Sequence, residues 1–186
     1  TLSGIPASRS FRCLWMLREL GLAFSNVPTH FAGETRTAEF LKLNPNGHIP
    51  VLVDGATVLW ESMAINLYLA RQYGAGTLWP ATVADEGRAF QWSFWAMTEV
   101  EAPLLAALMH RRVLPAGERD AAVAAASEEK LAAPFAVLDG ALRGRPHLLG
   151  AAFSVADLNV AAVLSWAKMA GLDLGRWPQL ADWLQR

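Results

Sequence analysis

The chain has 186 residues, a formal net charge of −1 and a hydrophobic share of 53%. That is enough chain for one large domain or two small ones sharing an interface, and it carries no electrostatic footprint for nucleic acid or an anionic membrane surface. A single cysteine, Cys13, excludes an intrachain disulfide and suits a reducing compartment, so cytoplasm is the expected location.

"TLSGI" predicts a strand over 1–5, already under way at Thr1, so a few residues are expected to precede it. A helix follows over 9–20, stopped by Gly21. At their junction "ASRSFR" sets Ser8 or Ser10 at a helix N-terminus, where backbone N–H groups and the positive dipole stabilise an anion; for an isolated serine an ordinary N-cap is the favoured reading. Cys13, one turn inside, reads as a buried apolar residue and not a nucleophile. A strand over 24–30 and a short helix over 35–43 come next.

"NGHIPVLVDG" then places a proline inside the first apolar residues of a strand. Pro50 has no N–H to give to a ladder, so it belongs on an edge or at the first strand position. Ile49 before it is held extended, and its unpaired N–H and C=O suit a peptide-like ligand, a small case of strand addition. A plain strand-start proline is the structural alternative. "VLVDGATVLW" reads as a hairpin with positive φ at Asp54 and Gly55. In "WESMAI", Glu61 and Ser62 open a helix over 61–73: the Ser62 hydroxyl and N–H donors fit a carboxylate and Glu61 fits an ammonium, the two charges of an α-amino acid head group. First-turn Glu and N-cap Ser would serve structure as well. The resulting order, β-α-β-α-β-β-α, requires parallel strands in its β-α-β opening.

"GAGTLWPATVAD" has the Gly and Pro content of a linker, assigned to 75–82, and everything from 83 to 186 reads as helix. Phe90, Phe94, Met97, Leu104 and Leu108 share one helical face, as do Leu131, Phe135, Leu138 and Leu142. Pro103 and Pro134 predict kinks or breaks in these helices. Glu101 falls on the first stripe, where a charge is out of place unless that face lines a cleft. "FSVADL" is a complete helix start: Ser154 and Asp157 form a capping box and Phe153 can staple to Leu158, so Asp157 is structural. "HRR" at 110–112 reads as a solvated helix end.

The chain has no CxxC and no His pair at helical ligand spacing, so no metal site is expected. GxSxG, a Walker loop and GxGxxG are also missing. No apolar run approaches the roughly 18 residues of a spanning helix, and no signal-peptide pattern opens the chain. A mean hydropathy of +0.23 and eight Trp predict apolar surface covered by a partner, most simply a second copy.

Taken together, "ASRSFRCLWMLRELGL", "NPNGHIPVLVDGATVLWESMAINLYLARQYG", "FSVADLNVAAVLSWA" and "RWPQLADWLQR" resemble the cytosolic glutathione S-transferase family across nearly the whole chain. The resemblance is to serine-using bacterial, theta-like or zeta-like members. It implies an N-terminal thioredoxin-like domain at 1–74 that binds glutathione, an all-helical domain at 83–186 for the hydrophobic co-substrate, a homodimer, and a cis Ile49–Pro50 bond. The theta-type pattern sets the catalytic serine four residues before the arginine of the first helix; with Arg12 in that place it selects Ser8, leaving Ser10 as understudy, whereas the zeta-type and tau-type position is Ala7. Arg12 itself would add positive potential or serve as a structural ion-pair partner. By the same resemblance Ile49, beside Pro50, holds the cysteinyl backbone of glutathione, Glu61 and Ser62 hold its γ-glutamyl end, and His48 stands where a Lys or Gln often meets the glycyl carboxylate. Trp92, Trp95 and Met109 are candidates to line the electrophile site, with core packing the alternative.

The function this implies is conjugation of glutathione to small hydrophobic electrophiles. A glutathione-dependent isomerase, dehalogenase or peroxide reductase would use the same thiolate. A non-catalytic ligand-binding or dimerisation protein would keep the fold alone.

Overall fold

The computed structural model describes residues 1–186, which divide into two compact units, Thr1–Ala81 and Thr82–Arg186. The first unit contains β1 (Leu2–Ser3), α1 (Ser10–Glu19), β2 (Asn26–Val27), a 3-10 turn (Glu34–Arg36), α2 (Ala38–Leu43), β3 (Val51–Asp54), β4 (Thr57–Trp60) and α3 (Ser62–Tyr73). This is the β-α-β-α-β-β-α order expected from the sequence.

Its four strands lie in the order β2-β1-β3-β4. β1 runs parallel to β2 and antiparallel to β3, and β3 is antiparallel to β4. The outer strands are shorter than their apolar runs suggested. β1 ends at Gly4, whose φ is +148°, and β2 stops before Pro28, which has no N–H to donate. Pairing nevertheless continues past the regular strand, since Thr1 C=O accepts from Val53 N–H at 2.8 Å and Gly4 N–H donates to Val27 C=O at 2.9 Å. β3 is a central strand, so Pro50 is not on a sheet edge; it stands one residue before the first paired position, Val51, as the strand-start alternative required. In the hairpin, Asp54 pairs with Thr57, and only Gly55 has positive φ (57°). Asp54 therefore remains in the strand, and glycine at the first turn position matches a type II′ turn.

The second unit contains α4 (Val83–Trp95), a π-helical stretch (Ala96–Glu101), α5 (Ala102–Leu108), a second π turn (Met109–Val113), a 3-10 turn (Ala116–Glu118), α6 (Ala121–Ala141), α7 (Val155–Ala170) and α8 (Pro178–Gln185). Pro103 falls in the first turn of α5, just after the π-helical stretch, so no hydrogen bond of a regular helix interior is lost there. Pro134 lies inside α6, which runs unbroken from 121 to 141, so of the expected kink or break the break does not occur. Its neighbours Leu131, Phe135 and Leu138 are at most 1% exposed, and that packing holds the helix together across the missing N–H.

The stripe expected on this helical segment holds at buried Leu104 and Leu108 but is displaced along α4. Ala89, Ala96, Val100 and Leu104 are fully buried, whereas Phe90 and Phe94 are 40% and 62% exposed, one position, about 100°, further around the helix. The four-residue stripe of α6 does face inward, ending on buried Leu142. Glu101 is buried too, and it is engaged with neighbouring groups.

Buried polar groups tie these helices together. Asn159 Nδ2 of α7 donates to Ser93 Oγ of α4 at 2.9 Å. Asp139 of α6 accepts from the N–H groups of Gln179 and Leu180 at 2.8 and 3.2 Å, so a carboxylate neutralises the N-terminus of α8. The capping box of Ser154 and Asp157 is present. The fully buried Asp157 carboxylate also accepts from Leu148 N–H at 2.8 Å and Trp183 Nε1–H at 3.1 Å, which is a structural assignment. No helix is long and apolar enough to cross a membrane.

Candidate active site

The turn that launches α1 is organised by Ser8. Its hydroxyl donates to Ile5 C=O at 2.6 Å and accepts from Ser10 N–H at 3.1 Å, so the Ser8 side chain satisfies one of the N–H groups that a helix start leaves without an internal partner. Ser8 is half-buried, between exposed Ala7 and exposed Arg9. Ser10 is different. Its hydroxyl is fully buried, makes no hydrogen bond, and lies so close over Gly4 that a Cβ there would come within 1.9 Å of Ser10 Oγ. The same added Cβ would stand 3.6 Å from Ile49 Cβ. Ile49 packs with Phe40 and Val51 in a buried cluster that Ile5 borders. Ser8 and Ile49, far apart in sequence, are thus joined through Ile5 and Gly4.

The Ile49–Pro50 bond is cis. The Ile49 side chain is buried, while its own N–H and C=O make no backbone hydrogen bond. His48 is exposed, and its C=O accepts from Asn44 Nδ2 at 2.8 Å. Here the structure adds a residue the sequence reading missed. Arg36 Nη1 donates to Asn46 C=O at 3.2 Å, and its guanidinium lies over Gly47, where a Cβ would meet Nη1 at 2.6 Å. That brings a permanent cation beside His48. Arg36 belongs to no local motif around "GHIP"; only the close approach at Gly47, with φ of +62°, could have pointed to it.

Glu61 precedes α3 with φ of 71° and ψ of 115°, the one non-glycine residue with positive φ. A backbone held in such a region costs on the order of 1–3 kcal/mol and persists where the surroundings enforce it. The Glu61 side chain is exposed, whereas Ser62 is 3% exposed. Two consecutive residues of α1 grip Ser62: Arg12 Nη1 donates to its Oγ at 3.2 Å, and Cys13 Sγ donates to its C=O at 3.6 Å. Asn66 Nδ2 completes the contact by donating to Arg12 C=O at 3.3 Å. Burial pushes the Cys13 thiol far above its ordinary pKa, only partly opposed by the Arg12 charge. Cys13 therefore stays protonated and unreactive at neutral pH.

At the far end of α3, Asp54 Oδ2 accepts from Tyr68 Oη at 2.9 Å and from Tyr73 Oη at 2.7 Å. These bonds to Asp54 are the largest cause of a raised pKa at both phenols. In the helical unit, Trp92 and Trp95 meet edge to face with centroids 5.0 Å apart, and both are half-buried, as is Met109. The "HRR" segment lies on the second π turn, with Arg111 paired to Glu128. No three His, Cys, Asp or Glu side chains come together in a way that could hold a metal ion.

Family models agree with this arrangement. Residues 1–71 match the glutathione S-transferase N-terminal domain and residues 96–186 the C-terminal domain. The chain is 34% identical over 178 residues to glutathione S-transferase GstB of Escherichia coli, covering 94% of this chain and 86% of that protein. It is 39% identical over 168 residues to glutathione S-transferase 3 of Zea mays, covering 85% and 73%. Among solved structures, a theta class glutathione S-transferase of Xanthomonas axonopodis pv. citri with glutathione bound superposes with a TM-score of 0.90 at 32% identity, covering 100% of this chain and 90% of that one. The chain belongs to the glutathione S-transferase family.

Proposed function

We propose that the chain is a serine-type glutathione transferase, in which Ser8 activates the thiol of glutathione for attack on small hydrophobic electrophiles. The observation that carries this reading is the convergence, within Thr1–Ala81, of the Ser8 hydroxyl, the unpaired backbone of Ile49 and the N-terminus of α3. An extended tripeptide pairs with Ile49 N–H and C=O through its cysteinyl residue. Its γ-glutamyl carboxylate meets Ser62 and its ammonium meets Glu61. Its glycyl carboxylate meets His48, and Arg36 supplies a permanent charge beside it.

A serine hydroxyl has one proton and two lone pairs. In Ser8 the proton is directed to Ile5 C=O; on glutathione binding it turns to the sulfur, while Ser10 N–H keeps its bond to Oγ. The understudy Ser10 is packed over Gly4 and offers no such donor, which favours Ser8. Lowering a thiol from a pKa of about 8.5 to about 6.5 takes roughly 2.7 kcal/mol, within reach of one hydrogen bond to an anion and the helix terminus together. The thiol proton leaves to solvent, the thiolate forms an S–C bond, and the leaving group departs with its electron pair.

The Thr82–Arg186 unit takes the electrophile, and the chain acts in the cytoplasm as a homodimer, a state supported by exposed Phe90 and Phe94. Calorimetry with glutathione together with a chloronitrobenzene conjugation assay tests the reading. Binding of one tripeptide per chain, an ultraviolet thiolate band and turnover are expected. Absence of glutathione binding rejects an enzyme, and binding without the band or turnover leaves only a ligand-binding protein.

A further inference from the structure

The γ-glutamyl side of this site contains a contact that spans fifty residues. Arg12 is 1% exposed and Ser62 is 3% exposed, and the guanidinium donates to Ser62 Oγ at 3.2 Å. Arginine has donors only and never an acceptor. Ser62 Oγ must therefore accept from Arg12, and the hydroxyl proton points away from it. Within the protein that proton has no acceptor: the one other bond of Ser62 with α1 uses its C=O, which accepts from Cys13. Asn66, one turn into α3, fixes the backbone of Arg12 in return.

We infer that Arg12 is a positioning residue that biases the Ser62 hydroxyl toward donating and so makes the start of α3 selective for an anionic carboxylate at the γ-glutamyl end of the ligand. Accepting from a guanidinium makes the Ser62 O–H a stronger donor and its remaining lone pair a weaker acceptor. Without the guanidinium that bias is lost, and the hydroxyl accepts from an amide N–H as readily as it donates to a carboxylate. The bias favours a carboxylate over a carboxamide. It does not place Arg12 against the sulfur, so its removal acts on binding and leaves the chemical step nearly intact.

This inference rests on the proposed glutathione site. It is tested by steady-state conjugation kinetics with glutathione and with its γ-glutamyl α-carboxamide. Wild type is expected to favour glutathione in kcat/KM by about thirtyfold or more, as for a lost charge-assisted contact. Arg12→Met is expected to raise KM for glutathione about tenfold, leave kcat within threefold and shrink the preference below about fivefold. A purely structural role for Arg12 would weaken both ligands alike and leave the preference unchanged, which overturns the inference. Arg12→Gln covers the case in which the methionine variant does not fold. It should lower the preference in wild type but have no effect on it in a Ser62→Ala background; an equal effect in both backgrounds also overturns the inference. If wild type shows no preference, or Ser62→Ala retains it, the assignment of Ser62 to the γ-glutamyl end fails instead.

Discussion

The Ser8 hydroxyl proton can serve Ile5 C=O or a thiolate, while the Ser10 hydroxyl serves nothing. An unpaired buried hydroxyl is a net cost, so Ser10→Ala should stabilise the fold by about 1 kcal/mol, read as a higher urea midpoint; a lower midpoint would mean the hydroxyl has a partner. Gly4→Ala should cost on the order of 3 kcal/mol, because the methyl overlaps Ser10 Oγ and the residue keeps a positive φ. Position alone made Ser8 and Ser10 legible as helix-start serines. The theta-type spacing to Arg12 already preferred Ser8; what left no mark in the local pattern is the close approach of Gly4 to Ser10, which depends on how β1 meets α1. Arg36 and the Arg12–Ser62 contact stayed hidden for the same reason: they join residues that only the folded chain brings together. Ile49 was readable because proline chemistry is local, since a missing N–H and a restricted neighbour follow from the residue itself.

Among elements, α3 is fixed at both ends, at its start by Arg12 and at its far end by Asp54 holding Tyr68 and Tyr73. These are the two tyrosines of the chain, so an ultraviolet phenolate titration reads this cluster alone. Both phenols are raised above their ordinary value of about 10. A raised folded-state pKa means that their stabilising contribution is complete below the unfolded value and is lost as pH rises through the folded one. The phenolate titration should therefore be centred above the ordinary value and coincide with loosening of α3, and Asp54→Asn should return both phenols toward ordinary values; an unshifted titration in wild type contradicts the cluster. In the helical unit, Asp157→Ala leaves Leu148 N–H, Ser154 N–H and Trp183 Nε1–H without their acceptor, and should cost about 3 kcal/mol or more while the folded fraction keeps its turnover. The capping box was legible because it is a local pattern. The tilt of the long helix was not: spacing placed Phe90 and Phe94 on the core face, but alanines and a serine at neighbouring positions, small enough for close helix packing, take that face instead.

For the whole molecule, the change from mixed strands and helices to helices alone was visible in composition, and the contacts partition at Ala81–Thr82. Apolar excess was visible as well, and it emerges as exposed aromatic surface on α4. Light scattering should give about twice the chain mass of 20.2 kDa, with Phe94→Asp shifting the protein toward single chains; a monomeric wild type would contradict the dimer. The central claim is that the launch of α1 makes a thiolate, and the most direct measurement is the pH dependence of kcat/KM for chloronitrobenzene conjugation in wild type and in Ser8→Ala. The account predicts a wild-type profile with an apparent pKa near about 6.5 that moves toward about 8.5 in the variant, with turnover at neutral pH falling tenfold or more. Identical profiles with unchanged turnover would contradict it.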